Sequence, residues 1–260
     1  MDVSVSLAGL FVGFLVGLTG VGGGSLMAPL LILLFGFSPA VAVGTDLWFA
    51  TITKTVGGAM HRRVGSPDWQ VIRRLALGSI PAAIVTLLWL GLAHGGELEA
   101  KILLQLLGAA LILTAIVMPM KHQISAPLVR LASGLGAGTR RCQVGATITA
   151  GALVGCLVTL TSIGAGALVA VILMVLYPLR LDTKAIVGTD IVHAVPLALI
   201  AAVGHSWLGN VDWWLLVKLL IGSVPGIIFG SLAAGRVNEM LVRLTLAAMI
   251  AFSGLKLLLG

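Results

Sequence analysis

GLTGVGGGSLMAPLL at residues 17–31 has a degenerate counterpart in VTLTSIGAGALVAVI at 158–172. Thr19, Gly22 and Gly24 meet Thr161, Gly164 and Gly166 at a spacing of 142. The chain then keeps in step. Gly44-Thr45-Asp46 returns as Gly188-Thr189-Asp190, His61 as His205, Asp68-Trp69 as Asp212-Trp213, and Gly78-Ser79-x-Pro81 as Gly222-Ser223-x-Pro225, all at a spacing of 144. One half has been duplicated. In an apolar chain, two halves each interrupted by glycine point to a transporter with its site where the interruptions meet.

Composition supports a membrane reading. Of 260 residues, 59% are hydrophobic and 10% charged, and the mean hydropathy is +1.14. A soluble domain of this length cannot hide that much apolar surface. The 34 glycines suit helices packed closely in lipid. The apolar runs are continuous, whereas a membrane β-barrel alternates over segments of about ten residues, so the expected class is an all-α polytopic membrane protein. The net charge of +7 sits in short loops and gives no nucleic-acid signal. Cys142 and Cys156 lack metal or redox spacing, and no metal or cofactor is expected. The N-terminus has no basic n-region or cleavage site, so the first apolar run is expected to remain.

The runs fall five to a half: 3–19, 24–36, 40–60, 72–93 and 100–119, then 143–161, 164–178, 184–204, 214–234 and 240–259. Residues 1–119 form one repeat and 143–260 the other, joined by the basic linker 120–142 with room for a short interfacial helix. The first two runs of each half make either two spans or one glycine-broken, re-entrant hairpin, giving eight to ten membrane segments. A helix over 24–36 rises only about 20 Å against a hydrocarbon core of ~30 Å, which favours breaks inside the membrane.

Charge sets the orientation. Placing basic loops in the cytoplasm puts twelve Lys/Arg inside, three (Lys101, Lys218, Lys256) outside, and Lys54 within a span. The inside set includes Arg62, Arg63, Arg73, Arg74, Arg236 and Arg243, all read as topology determinants. Equivalent loops of the two halves then face opposite sides, an inverted repeat with both termini outside. Trp69, Trp89, Trp207, Trp213 and Trp214 fall near span ends, as interfacial anchors do.

The motifs GLTGVGGGSLMAPLLI, AVGTDL, GALVG…SIGAGAL and the later VGTD resemble the sulfite exporter TauE/SafE family of bacterial membrane permeases, over essentially the whole chain. The resemblance implies transport of sulfite, sulfoacetate or related organosulfonates across the bacterial inner membrane, usually outward. It implies no catalytic residue set, so the candidate site rests on physics. The second copy departs from the first in having Ala165 and Ala167 where Gly23 and Ser25 stand.

A helix beginning after Gly22-Gly23-Gly24-Ser25, or after Gly164 and Gly166, presents unpaired N–H groups and a positive dipole end. Glycine lets an anion approach them closely. Thr19, Ser25, Thr161 and Ser162 add hydroxyl donors. The plainer reading is tight helix packing. Asp46 and Asp190 lie about two turns into their spans, where carboxylates are costly. With Thr45 and Thr189 they either brace the broken segments or load and release a proton. His193 follows Asp190 by one turn, as a structural residue, a proton relay or a ligand to the anion. Lys54 either pairs with Asp46, meets the substrate's charge, or snorkels toward Arg62. His61 and His205 read as interfacial.

A chain of spans and short loops argues for moving something. No Walker A, H-E-x-x-H or G-x-S-x-G motif is present, so neither an ATP-driven pump nor an enzyme is expected. The leading expectation is a secondary transporter exporting a small sulfur-containing anion by alternating access. The alternatives are an anion channel and an uptake permease for another small carboxylate or oxyanion. The expected partners are the anion, the lipid bilayer, protons if coupling is used, and a second copy of the chain if it oligomerises.

Overall fold

The computed structural model describes residues 2–19, 26–60, 66–96, 98–133, 139–234, 236–237 and 239–259. The described residues form ten helices, one for each apolar run. The first half holds α1 (Asp2–Thr19), α2 (Met27–Leu33), α3 (Pro39–Met60), α4 (Trp69–His94) and α5 (Ala100–Ser133). The second holds α6 (Thr139–Thr161), α7 (Ala167–Leu176), α8 (Thr183–Trp207), α9 (Trp213–Ala233) and α10 (Glu239–Leu259). The protein is an all-helical, multi-pass membrane protein: six of these helices are long and apolar enough to cross a bilayer. α3 is not among the six. Asp46, Lys54 and its threonines dilute its hydropathy, and neighbouring helices cover it instead of lipid.

The helix starts repeat between halves. The Asp68 carboxylate caps α4, accepting from the N–H groups of Gln70 and Val71 at 3.1 and 3.2 Å. Asp212 caps α9 the same way, accepting from Leu215 N–H at 2.9 Å. Each cap residue is itself held by the opposite half. Asp212 N–H donates to Thr45 Oγ1 at 3.1 Å, and Asp68 N–H donates to Thr189 Oγ1 at 3.0 Å.

The two halves interlock. α1 packs along α9 and α4 along α6, backbone to backbone, through glycines. A Cβ at Gly222 would lie 1.8 Å from the Ser6 carbonyl oxygen, and one at Gly13 2.3 Å from that of Ser223. The equivalent pair repeats this, with Gly78 against Ile148 and Gly155 against Ser79. Exchanging the halves maps one interface onto the other. Small residues are what let helices approach this closely in lipid, where burial gives no hydrophobic gain.

α3 and α8 cross at the centre, antiparallel. Trp48 Nε1, early in α3, donates to Ser206 Oγ near the end of α8 at 2.8 Å. Lys54, later in α3, lies near Asp190 and His193, earlier in α8.

The apolar part of the fifth run ends at Pro119 and that of the sixth begins at Cys142, near the expected bounds, while helix reaches into the linker from both sides. α5 does not stop near 119 but continues as helix to Ser133, and α6 begins at Thr139. A 34-residue helix rises about 51 Å, well beyond a ~30 Å core, so its last turns project past the membrane. No proline or glycine interrupts 120–125, and Pro127 is tolerated in the projecting part.

Candidate functional site

The second break, 162–166, is built from its own residues. Thr161 Oγ1 donates to Leu157 O at 2.7 Å and accepts from Ile163 N–H at 3.2 Å, which turns the chain out of α6. Ser162 adopts φ 58°, Gly164 φ 119° and Gly166 φ 133°. Gly166 then opens α7 with no side-chain cap. Its carbonyl receives Ala170 N–H at 2.9 Å, and Gly164 O receives Val169 N–H at 3.4 Å, so the glycines of the break themselves close the start of α7. At 142 residues' spacing the partner of Ser162 is Gly20. The first break's Gly22, Gly23, Gly24 and Ser25 lie outside the described residues. So does His61.

α3 delivers charge to this break. Lys54 Nζ donates to Ala165 O at 2.9 Å, reaching from one half into the other. Of the three readings of Lys54, snorkelling is thereby excluded: the half-buried chain points inward, within electrostatic reach of both Asp46 and Asp190. Asp46 is fully buried. Its carboxyl faces Ser162 and the backbone N–H of Ala28 in the first turn of α2. Neither contact closes to hydrogen-bond geometry, and both Asp46 Oδ atoms and Ser162 Oγ are unpartnered among the described residues. A carboxyl is thus placed between the start of α2 and the break before α7.

His193 is tied rather than loose. Its Nε2 shares a hydrogen bond of 2.8 Å with Ser79 Oγ of α4, and it is 1% exposed. In the other half Phe49 takes the place of His193, and Ser223 Oγ, the counterpart of Ser79, has no partner among the described residues. Thr45 and Thr189 brace the α9 and α4 caps, as given above.

His205 is a correction. Its position near a loop reads as interfacial, but it is 3% exposed. Its Nε2 meets Thr159 O at 2.9 Å, and its Nδ1 lies 3.4 Å from the amide nitrogen of Asn210, which donates to Gly96 O at 2.7 Å. The capped turn after α8 folds back over it.

Two cavities flank this centre. One, of about 80 Å³, is lined by Thr19, Gly166, Ala167, Thr183 and Arg243, with Met118 of α5 on its wall. The other, of about 10 Å³, is lined by Ala40, Leu98, Leu103, Leu160, His205 and Asn210. They sit at opposite ends of the fold. Along α5, Leu103 and Met118 are separated by a rise of about 22 Å, and along α8 Thr183 and His205 by about 33 Å. The larger lies on the linker side.

The linker side is held by a polar clamp. Arg180 grips the Asp68 carboxylate through Nε and Nη2 at 2.6 and 2.9 Å. Tyr177 OH accepts from Arg74 Nη1 at 3.1 Å and shares a hydrogen bond of 2.8 Å with Thr147. Arg74 therefore has a fold-stabilising contact besides its role in topology. Arg243 was read as a loop charge and instead lines the larger cavity. The one sequence signal for it is its place inside an apolar run, at the fifth residue of α10.

An interlocked helical bundle with buried charge at a glycine break, and with cavities toward both ends, is an arrangement suited to moving a solute across a membrane. A model of the family "Sulfite exporter TauE/SafE" matches residues 5–257. The chain is 39% identical to the probable membrane transporter protein YjnA of Bacillus subtilis, over 99% of this chain and 100% of that protein. It is 28% identical to the probable membrane transporter protein YdhB of the same organism, over 98% and 99%. A probable membrane transporter protein of Methanocaldococcus jannaschii is 26% identical over 97% and 94%. No solved structure matches the chain. The protein belongs to the sulfite exporter TauE/SafE family.

Proposed function

We propose that the protein is a secondary transporter that exports a small sulfur-containing anion, sulfite or an organosulfonate such as sulfoacetate, across the bacterial inner membrane. The family's description supports the substrate class. The inequality of the two cavities carries the alternating-access reading. One is roughly 80 Å³, with Thr19, Thr183 and Arg243 on a mostly apolar wall, while the other is about 10 Å³ and lies beneath the His205–Asn210 turn. A cavity of about 80 Å³ is several times the roughly 10–15 Å³ that admits one water by the same measure, enough for an ion of a few heavy atoms. A channel would join the two; a carrier opens them in turn. The antiparallel crossing of α3 and α8 supports an inverted repeat, and the basic linker supports a cytoplasmic side for the larger cavity. On this reading the break at 162–166 lies within the membrane as the tip of a re-entrant hairpin, the placement favoured by the shortness of α7.

The test is flux in proteoliposomes with sulfite, sulfate, thiosulfate, sulfoacetate and acetate. Saturable flux of sulfite or sulfoacetate, with counter-transport, is expected. Equal, non-saturating flux of all five would favour the channel. Imposing a pH gradient or a potential separately identifies the driving force.

Topology gives a second expected result. With single cysteines at Gly95, Ser125 and Gly209 in a background lacking Cys142 and Cys156, an impermeant thiol reagent applied to cells should label Gly95→Cys and Gly209→Cys and spare Ser125→Cys. The reverse pattern would overturn the orientation.

A further inference from the structure

We propose that the turn at 208–211, between α8 and α9, is the gate on the side away from the linker, latched shut by Asn210 and Trp48. The inference rests on the transport reading above and deepens it.

The turn is held by polar contacts, most of which cross between the halves. Asn210 is 1% exposed. Its Nδ2 donates to Gly96 O, in the turn between α4 and α5, at 2.7 Å and lies 3.4 Å from His205 Nδ1. His205 Nε2 faces a carbonyl, Thr159 O, at 2.9 Å, so Nε2 carries the hydrogen and Nδ1 is left to accept. One amide thus serves two acceptors, one in the first half and one on a histidine fixed to α6. The Asn210 carbonyl rests on Gly44 of α3, where a Cβ would lie 1.9 Å from it. Beside the turn, Trp48 Nε1 donates to Ser206 Oγ at 2.8 Å, and the Trp48 ring stands 5.5 Å from that of Trp213. Gly44, Trp48 and Gly96 belong to the first half and the turn to the second. Beneath it lies the cavity of about 10 Å³, with His205 and Asn210 on its wall.

These ties belong to one side of the fold. The hydrogen bond from Asp212 N–H to Thr45 has its equal in Asp68 and Thr189, so it does not distinguish the sides. At the spacing of 144, however, Val192 answers to Trp48 and Ser66 to Asn210. Valine has no N–H to donate, and a serine hydroxyl has one hydrogen where an amide has two. The larger cavity lies on that side. Ties made on one side only favour the state closed there, and a carrier must break them to expose the smaller cavity. Each is a neutral hydrogen bond, modest enough in net worth to be broken and remade in every cycle.

The experiment measures the rate at which a soluble maleimide modifies single cysteines in the protein held in lipid nanodiscs, where the reagent reaches both sides. In a background lacking Cys142 and Cys156, Ala40→Cys reports on the smaller cavity and Ala167→Cys on the larger. Asn210→Ala, and Trp48→Phe, which keeps a ring beside Trp213 but loses the N–H, should each speed modification of Ala40→Cys about fivefold, the worth of one net hydrogen bond. Together they should speed it by more than about tenfold and slow that of Ala167→Cys, as one population grows at the expense of the other. Asn210→Asp keeps the shape of the side chain, turns a carboxylate on the Gly96 carbonyl, and should act at least as strongly as Asn210→Ala. An unchanged Ala40→Cys rate in the double variant and in Asn210→Asp overturns the latch. A rise at both cysteines also overturns it, since mere loss of packing loosens both sides. Wild-type flux separates the two claims. Reciprocal rates in a protein that moves no anion of the panel would keep the latch and overturn the transport reading, and saturable flux with unchanged rates would do the reverse.

Discussion

Gly166→Leu is expected to abolish transport while leaving the protein folded in the membrane. Gly166 sits at φ 133°, ψ −96°, a conformation that L side chains rarely adopt. Holding a non-glycine residue there costs about 1–3 kcal/mol. The leucine would also project at the wall of the linker-side cavity, where the substrate is proposed to bind. Strain and volume then act together, and flux should fall by a factor of roughly 100, the equivalent of about 2.7 kcal/mol. Gly166→Ala separates the two, since it keeps the strain and adds little volume. Gly164→Leu should be nearly as damaging: Gly164 is at φ 119°, and its Cβ would already lie 3.3 Å from Leu157 Cδ2. Proteoliposome flux, with thermal unfolding in detergent as the folding control, checks all three. A Gly166→Leu variant with wild-type KM would show that the α7 end is not part of the binding site.

These glycines were legible in the sequence because a helix break leaves a local mark. So were the ten helices, because an apolar run in a chain of this composition satisfies its backbone groups most simply as a helix. The helix extension to Ser133 was legible only in part: the linker left room for a short interfacial helix, but nothing in KHQISAPLVRLAS says that it continues α5 without a break. The internal pairings were not legible at all. Thr45 and Thr189 stand beside aspartates in both copies, yet they hydrogen-bond to Asp212 and Asp68 of the opposite half. Such contacts depend on how the halves interlock, and interlocking is set by glycine faces on α1, α4, α6 and α9 that meet only in three dimensions. His205 was misread for the same reason. A histidine before a loop looks exposed until the turn at Gly209 and Asn210 folds back to cover it. Arg243 was absorbed into the charge count that fixes topology, because counting charge by loop says nothing about where a side chain points.

The buried charges at the centre give the other large effect. Lys54→Met and Asp46→Asn should each reduce flux and stability sharply, and the double variant should recover much of the stability. Lys54 is the basic group beside Asp46, and Asp190 lies within its reach too. Removing one member of a buried charge set strands the other, at a cost of about 3–5 kcal/mol, whereas removing both leaves no orphan charge. A coupling energy of roughly 1–3 kcal/mol in a double-mutant cycle on thermal unfolding is therefore expected. Activity should behave differently. Asp46 faces Ser162 and the first turn of α2, and Lys54 holds the Ala165 carbonyl. The double variant keeps its charge balance but loses both ties on the broken segments, so its flux should stay low even where its stability returns. Recovery of both together would mean that the pair only balances charge. Additive losses in stability, with no coupling, would mean that the two side chains do not sense each other, and the central cluster would have to be redrawn around Asp190.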